Sequence, residues 1–402
     1  MLRRAENIHG SAAGYAPKAP SATTCNRPLR NSGIPRTSPS PSSRPKPRGR
    51  RFVLDFDDGS SVVIWGGGLI GREPVALEGT NVDQIVRVND DTLSVSRTHL
   101  EFGIDESGLW VRDCGSTNGS QIEARGRLTR IESQRPVAVP SGSTIHIGQR
   151  RAGVRTIAGR AVIGDVTIDW GAATDAGAVH DRNEDAYCAE PPVFMVADGV
   201  GGHSAGEVAS RETVDALSML AGRATVTREM VEDRLADARA RIGRIEADEG
   251  LAPATTVSGV VVTHDAGVPS WLVVNIGDSR TYRLNSDGFR QITVDHSLVQ
   301  ELIDSGALAP SSEAAASIRN VLSRALLAKT EHPADFWLFP MTAYERILVC
   351  SDGLTKEVET HTIARILRAV PDPFEAANRL VQLAVDAGGR DNVTALVIDA
   401  LH

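Results

Sequence analysis

From Arg51 onward the chain alternates short apolar runs with breaks rich in glycine, aspartate and asparagine, and the character of that alternation changes near residue 162. Phe52-Val53-Leu54 and Ser61–Trp65 flank Asp57-Asp58-Gly59, which reads as a β-hairpin. Gln84–Val88, His99–Ile104, Leu109–Asp113, Gln121–Ala124 and Thr144–Ile147 read as further strands. No stretch of this half sustains a 3.6-residue period, so residues 51–150 are predicted to form an all-β sandwich. Farther on, strands alternate with amphipathic helices at Glu207–Ala221, Arg228–Ala247 and Ser297–Ser305. The second of these gathers Met230, Val231, Leu235, Ala238, Ile242 and Ile245 on one face. Asp372-Pro373-Phe374-Glu375 supplies an N-cap, a first-turn proline and a capping-box acid, and Gly388-Gly389 supplies a left-handed stop. That mixture predicts an α+β domain over 163–402, with 151–162 as a linker carrying Arg151, Arg155 and Arg160.

Residues 1–50 break the pattern. They hold eight of the 20 prolines and ten basic residues against one acid, Glu6. Such a segment buries too little apolar surface to offset its ordering entropy and is expected to be a disordered basic tail. The other 352 residues carry 33 basic and 50 acidic side chains, so the net charge of −8 conceals a strongly acidic body. That body argues against nucleic acid as the main partner. Cys25, Cys114, Cys188 and Cys350 are scattered without metal-ligand or redox spacing, as expected of reduced thiols in a cytoplasmic protein. No apolar run is long enough to span a membrane, and Arg3-Arg4 has no hydrophobic segment behind it, so no secretory signal is expected.

Three patterns in the β-rich half carry chemistry: Gly71-Arg72, Ser96-Arg97-Thr98-His99 and Ser116-Thr117-Asn118-Gly119. Their order and spacing over 51–150 resemble the forkhead-associated (FHA) domain, which binds phosphothreonine peptides. The resemblance implies that Arg72 and Ser96 hold the phosphate, through a guanidinium, a hydroxyl and a backbone N–H. It implies that Arg97 touches phosphate or the flanking backbone, that Thr117 shapes a methyl pocket, and that the Asn118 carboxamide pairs with the peptide backbone. His99 is expected to be a buried brace for the loops.

In the second half, aspartates recur beside glycine or asparagine at the ends of apolar runs: Ala197-Asp198-Gly199-Val200-Gly201-Gly202, Ser351-Asp352-Gly353 and Arg390-Asp391-Asn392. Carboxylates at strand ends, with glycine letting the backbone close in, suit a hard divalent cation. Together with Asn183-Glu184-Asp185, Gly277-Asp278-Ser279-Arg280 and Asp295-His296-Ser297 they resemble the metal-dependent serine/threonine protein phosphatase (PPM) family, bacterial branch. The resemblance implies two Mg²⁺ or Mn²⁺ ions, bridged by Asp198, with the Gly199 carbonyl on one and Asp352 and Asp391 on the other. Glu184 and Asp185 would orient water around them, and Asp278 would be a candidate for a weak third ion. Such a pair of cations activates water for attack on phosphorus, so no protein nucleophile is required.

The chain departs from that family in two places. His180 stands where the family has an arginine that grips substrate phosphate, with Arg182 two residues on as its alternative. Lys356 stands four residues past Asp352, where members with a clear third-ion site place an aspartate. The reading is therefore a phosphatase whose FHA domain recruits phosphorylated proteins, among them a serine/threonine protein kinase and its substrates. The alternative is a phosphopeptide-binding scaffold with an inactive phosphatase-like domain. A third possibility is control by a phosphorylated threonine in the tail, such as Thr37. For Asp278-Ser279-Arg280 a structural ion pair and a third-ion ligand remain open alternatives.

Overall fold

The structure, a computed structural model, describes residues 49–401 apart from 77–81, 106, 125, 202–204, 246–251, 310–320 and 329–331. Thr37 and Cys25 thus lie outside the described residues, as does nearly all of the basic tail.

The expected hairpin is formed by strands Arg51–Phe56 and Ser61–Ile64, with Leu54 opposite Val62 and Gly59 at φ +82° in the turn. These strands join Thr144–Ile147, Ser120–Ala124 and Arg127–Arg130 in one sheet. A second sheet, of strands Gln84–Arg87, Gly68–Gly71, Leu100–Asp105, Gly108–Asp113 and Val137–Val139, lies against it. Phe52, Leu54, Ile64, Ile70, Leu100, Phe102, Val111 and Ile145 close a single apolar core between the two sheets. The predicted sandwich is present.

The α+β half is built as four layers. Strands Val166–Asp175, Glu345–Cys350, Val393–Ala400 and Arg280–Asn285 belong to one sheet. Strands Asp185–Glu190, Val193–Val200, Val257–Asp265 and Val268–Ile276 belong to the sheet facing it. Trp170, Phe194, Val260, Trp271, Val349 and Ile398 fill the space between them. Helices Ala205–Ser218 and Arg228–Ile242 cover one outer face, and Thr360–Ala369 and Pro373–Ala387 cover the other. The last helix starts as its sequence indicated: the Asp372 side chain accepts a hydrogen bond from Glu375 N at 3.0 Å, and Gly389 stops it at φ +51°.

The expected linker is not a linker. Residues 151–162 lie within one continuous strand, Arg150–Ile163. At ~3.4 Å per residue, its 14 residues extend over roughly 45 Å. Its first part pairs with Thr144–Ile147 and Arg51–Phe56, and its last part with Val166–Asp175, so one 11-stranded sheet serves both halves. Side chains reinforce the join. Arg155 is bidentate to Asp55 (2.6 and 3.0 Å) and donates to the half-buried Tyr187 hydroxyl at 3.2 Å, and Thr156 Oγ1 donates to Glu190 at 3.0 Å. The arginines read as part of a connector instead lie on the more exposed face of a strand paired on both sides.

Candidate functional site

At one end of the β sandwich, three loops are drawn together by side chains that accept hydrogen bonds from backbone. Asp90 takes N–H groups from Thr92 (3.2 Å) and Val95 (2.6 Å) and hydroxyls from Thr92 and Ser94, which fixes the turn leading to Ser96. Burial alone would raise its pKa, but those hydrogen bonds carry it down to about 2. Asp113 does the same for the turn at Ser116–Gly119, accepting from Gly115 N, Ser116 N and the Ser116 and Ser120 hydroxyls. His99 is fully buried between the loops. Its Nδ1 accepts from Ser96 N at 2.9 Å, so its Nε2 carries the proton toward Gly119 O at 3.2 Å. Burial holds the imidazole pKa below its ordinary value, consistent with that neutral tautomer. His99 is therefore the brace the sequence indicated.

On that frame Ser96 Oγ accepts from Thr117 N at 3.1 Å, and Asn118 Nδ2 donates to Ser94 O at 2.8 Å. Arg72 donates through Nε to Val95 O at 2.6 Å, which aims the guanidinium while its terminal nitrogens make no hydrogen bond among those observed. Gly71 admits no side chain, because a Cβ there would collide with the Arg97 and Ser96 carbonyls. Arg97 lies farther out, exposed, with only a 4.0 Å approach to Glu73. Arg72, Ser96, Thr117 and Asn118 are thus brought together, and Arg97 stands at their rim.

The second site lies at one end of the α+β sandwich, where both sheets finish in carboxylates. Asp198 and Asp185 are opposite each other on adjacent strands. Asp278, Asp352 and Asp391 stand beside the neighbouring ends of Arg280–Asn285, Glu345–Cys350 and Val393–Ala400. Burial and mutual repulsion raise the pKa of Asp185, Asp198, Asp278 and Asp352. Burial comes first for Asp185, pushed up to about 7, with Asp352 and Asp391 adding to it. Asp278 is pushed up to about 8 by burial and by Asp352 and Asp295, and Asp198 well up by burial and all four other aspartates. Such crowding asks for cations. Asp185 Oδ1 and Asp352 Oδ1 are buried and have no hydrogen-bond partner, as oxygens reserved for an ion would be.

The local backbone fits the same purpose. A Cβ at Gly199 would collide with the Gly206 and Glu184 carbonyls, so only glycine lets its backbone enter the site. Among the described residues no three His, Cys, Asp or Glu side chains form a closed ligand cage. Mg²⁺ and Mn²⁺ do not need one, since such ions retain several waters beside one or two carboxylates. The donor set therefore fits them. Asp391 is also 3.8 Å from His180 Nε2, and its other oxygen receives Lys356 Nζ at 2.7 Å. Arg182 is turned away toward Glu207 at 3.5 Å, so His180 is the nearer of the two candidates for the phosphate. Arg280 is held by Asp295 at 2.6–3.0 Å rather than by Asp278, so the ion pair of this segment is made by Arg280.

The protein phosphatase 2C family model matches residues 175–384, just over half of the chain. The chain belongs to that family. The FHA domain model matches residues 68–148. The serine/threonine protein phosphatase PstP of Mycobacterium tuberculosis is 36% identical over 241 residues, covering 59% of this chain and 46% of that relative. The chain thus spans about half the length of that curated relative. The serine/threonine phosphatase stp of Listeria innocua is 32% identical over 239 residues, covering 56% of this chain and 93% of its own length. Among solved structures, the catalytic domain of PstP in complex with 2 manganese ions superposes with a TM-score of 0.53 at 32% identity, covering 59% of this chain and 99% of that one. The resemblances to FHA domains and to metal-dependent phosphatases are borne out.

Several residues that build the protein phosphatase 2C site were not singled out from the sequence. Asn392 accepts from Glu184 N at 2.8 Å and donates to the carbonyls of Ala176 and Arg182, which clamps the loop carrying His180 and Glu184. Ser351 Oγ donates to Asp185 Oδ2 at 2.7 Å and accepts from Thr394 N. Both lie next to an aspartate already marked as a ligand, and that adjacency was the available signal. Glu184 packs over Gly206, at the start of the Ala205–Ser218 helix, and burial followed by Glu207 and Asp391 raises its pKa.

Proposed function

We propose that this chain is a Mg²⁺- or Mn²⁺-dependent protein serine/threonine phosphatase whose FHA domain docks phosphothreonine-bearing partners. The observation that carries this reading is the meeting of Asp185, Asp198, Asp278, Asp352 and Asp391 in one cluster, with Asp278 buried and Asp391 about one third exposed. A scaffold with an idle phosphatase domain has no use for five crowded carboxylates, each of which destabilises its neighbours. A pair of divalent ions held by Asp198, the Gly199 carbonyl, Asp352 and Asp391 would supply activated water and neutralise charge at phosphorus.

The chain's own groups account for the rest. Ser351 fixes the orientation of Asp185, and the Asn392 clamp places Glu184 at the edge of the cluster, where both carboxylates can orient water. His180 lies half-exposed at the mouth beside Asp391, positioned to donate to a phosphate oxygen of the incoming ester when protonated. The ester is that of a phosphoserine or phosphothreonine on a protein. A partner held at Arg72 and Ser96 raises the local concentration of its other phosphates. The docked phosphate itself is held by the FHA loops, away from the aspartates. A phosphorylated protein kinase and its substrates are the partners this arrangement suits, and the cytoplasm is the compartment. No helix among the described residues is long and apolar enough to cross a membrane.

The test is Mn²⁺-dependent hydrolysis of para-nitrophenyl phosphate by the full chain, compared with a phosphothreonine protein. Hydrolysis of both, dependent on added ion, is expected. Phosphopeptide binding without any hydrolysis at millimolar Mn²⁺ would instead establish the scaffold.

A further inference from the structure

Lys356 is the one feature of the carboxylate cluster that a purely metal-binding site does not require. It sits one turn after Asp352 on the helix Asp352–Glu357, so the two side chains share a face. Its Nζ is 2.6 Å from Asp352 Oδ2 and 2.7 Å from Asp391 Oδ2, and its charge also eases the ionisation of Asp278. The ammonium therefore lies among three of the five aspartates. Burial opposes its charge, yet Asp352 and Asp391 more than offset that and hold its pKa above the ordinary lysine value. The nearby arginines do not share this role: Arg280 is engaged by Asp295, and Arg390 is bidentate to Glu357 at 2.8 and 2.9 Å.

A charge count shows what the lysine accomplishes. Binding of two divalent ions would favour the ionised form of the carboxylates around them; fully ionised, the five aspartates would exceed the charge of two such ions by one, and the ammonium held 2.6 Å from Asp352 and 2.7 Å from Asp391 would make up the difference. A third divalent ion beside Asp278 and Asp352 would overshoot neutrality and would face Lys356 at short range, where like charges in a buried site repel strongly. We propose that Lys356 is a tethered counter-cation that limits the centre to two divalent ions and competes with them for Asp391. The inference rests on the two-ion reading above. It adds a determinant of ion number and affinity that belongs to this chain's own sequence.

Three consequences follow from the chemistry of an ammonium. It neutralises carboxylates at hydrogen-bond distance but has no open coordination positions, so it cannot hold or activate water as a divalent ion does. It is always present, so Asp352 and Asp391 have a counter-charge even when no ion is bound. It must yield part of Asp391 when an ion binds there, which weakens that ion's affinity.

The test counts ions on the full chain. Equilibrium dialysis against Mn²⁺ up to several millimolar, with bound metal measured by atomic absorption, is expected to saturate at two ions per wild-type chain. Lys356→Asp is expected to take up a third, and Lys356→Met to bind its ions roughly tenfold more tightly than wild type by calorimetry. Thermal melts in chelator give a readout independent of loading: Lys356→Met is expected to melt lower than wild type, because Asp352 and Asp391 lose their counter-charge. Three ions on the wild type would overturn the lysine's role while leaving the phosphatase reading intact. Fewer than two on the wild type would overturn both. If Lys356→Asp fails to fold, an unchanged ion affinity in Lys356→Met is sufficient to overturn the proposal.

Discussion

The two ends of this molecule use aspartate in opposite ways. In the FHA loops Asp90 and Asp113 are saturated with backbone N–H groups and hydroxyls, and hydrogen bonding holds both below the ordinary carboxylate range. In the phosphatase cluster Asp185, Asp198, Asp278 and Asp352 crowd one another and are pushed upward, and Asp185 and Asp352 each keep a buried oxygen with no partner. A carboxylate satisfied by its own chain is a framework element; one left unsatisfied is a place for something else to bind. On the proposed reading the first site would take an anion, the phosphate of a docked peptide, and the second a pair of cations.

The sharpest way to break this contrast is to neutralise one aspartate of each kind. Asp352→Asn should lower Mn²⁺-dependent hydrolysis of para-nitrophenyl phosphate by roughly 1000-fold. Its chelator-treated form should melt no lower than the wild type, because a repulsive charge has gone. A large loss of stability with activity retained would place Asp352 among the framework residues. Next in size, Arg72→Ala should weaken binding of a phosphothreonine peptide about 10- to 100-fold, the equivalent of a charge-assisted hydrogen bond. Hydrolysis of the small ester should be unchanged while hydrolysis of a phosphoprotein slows. Equal effects on both substrates would mean that the two sites do not act as separate units.

Asp90→Asn is the framework counterpart. Its folded pKa of about 2 lies below the unfolded value near 3.9, so the native state binds fewer protons and Asp90 stabilises it above pH 4. The variant should lose about 2 kcal/mol by urea denaturation at pH 7. The gap between the two proteins should close as the pH falls from 4 toward 2, when the wild-type carboxyl is protonated. Smallest of all, His180→Ala should raise KM for the small ester about twofold to fivefold, the scale of a half-exposed charged contact. Arg182→Ala should leave it unchanged, since Glu207 holds that side chain. The reverse ranking would assign the phosphate contact to Arg182.

Much of both sites was legible because their residues sit in short motifs with local causes. Asp198-Gly199 works through a glycine that admits the backbone, and Ser351-Asp352-Gly353 through a strand end that turns directly into a helix. The hairpin at Asp57-Asp58-Gly59 and the capped helix at Asp372 were equally local. What escaped was tertiary. The helix Thr360–Ala369 lacks a side-chain cap hydrogen bond to announce its start, and its packing face emerges only against the helix that follows. Strand Asp335–Pro340 is an edge strand defined by its partner Ser270–Asn275. The arginine-rich stretch after Gly148 read as a connector because a strand with one polar face, taken alone, looks like a solvated coil. Lys356 could be seen to oppose a cation, but that it bridges two carboxylates depends on Asp391 arriving from 35 residues farther along the chain.

The strand Arg150–Ile163 makes the peptide reader and the hydrolase a single piece of sheet rather than two beads on a string. Cutting the polypeptide at Arg150 would rob the reader of an inner strand and bare a row of unpaired amides on the other fragment. On the proposed function the spacing between a gripped phosphate and a cleaved one would be built in like the jaws of a caliper, and a client whose two marks did not match that opening would engage only one of them at a time.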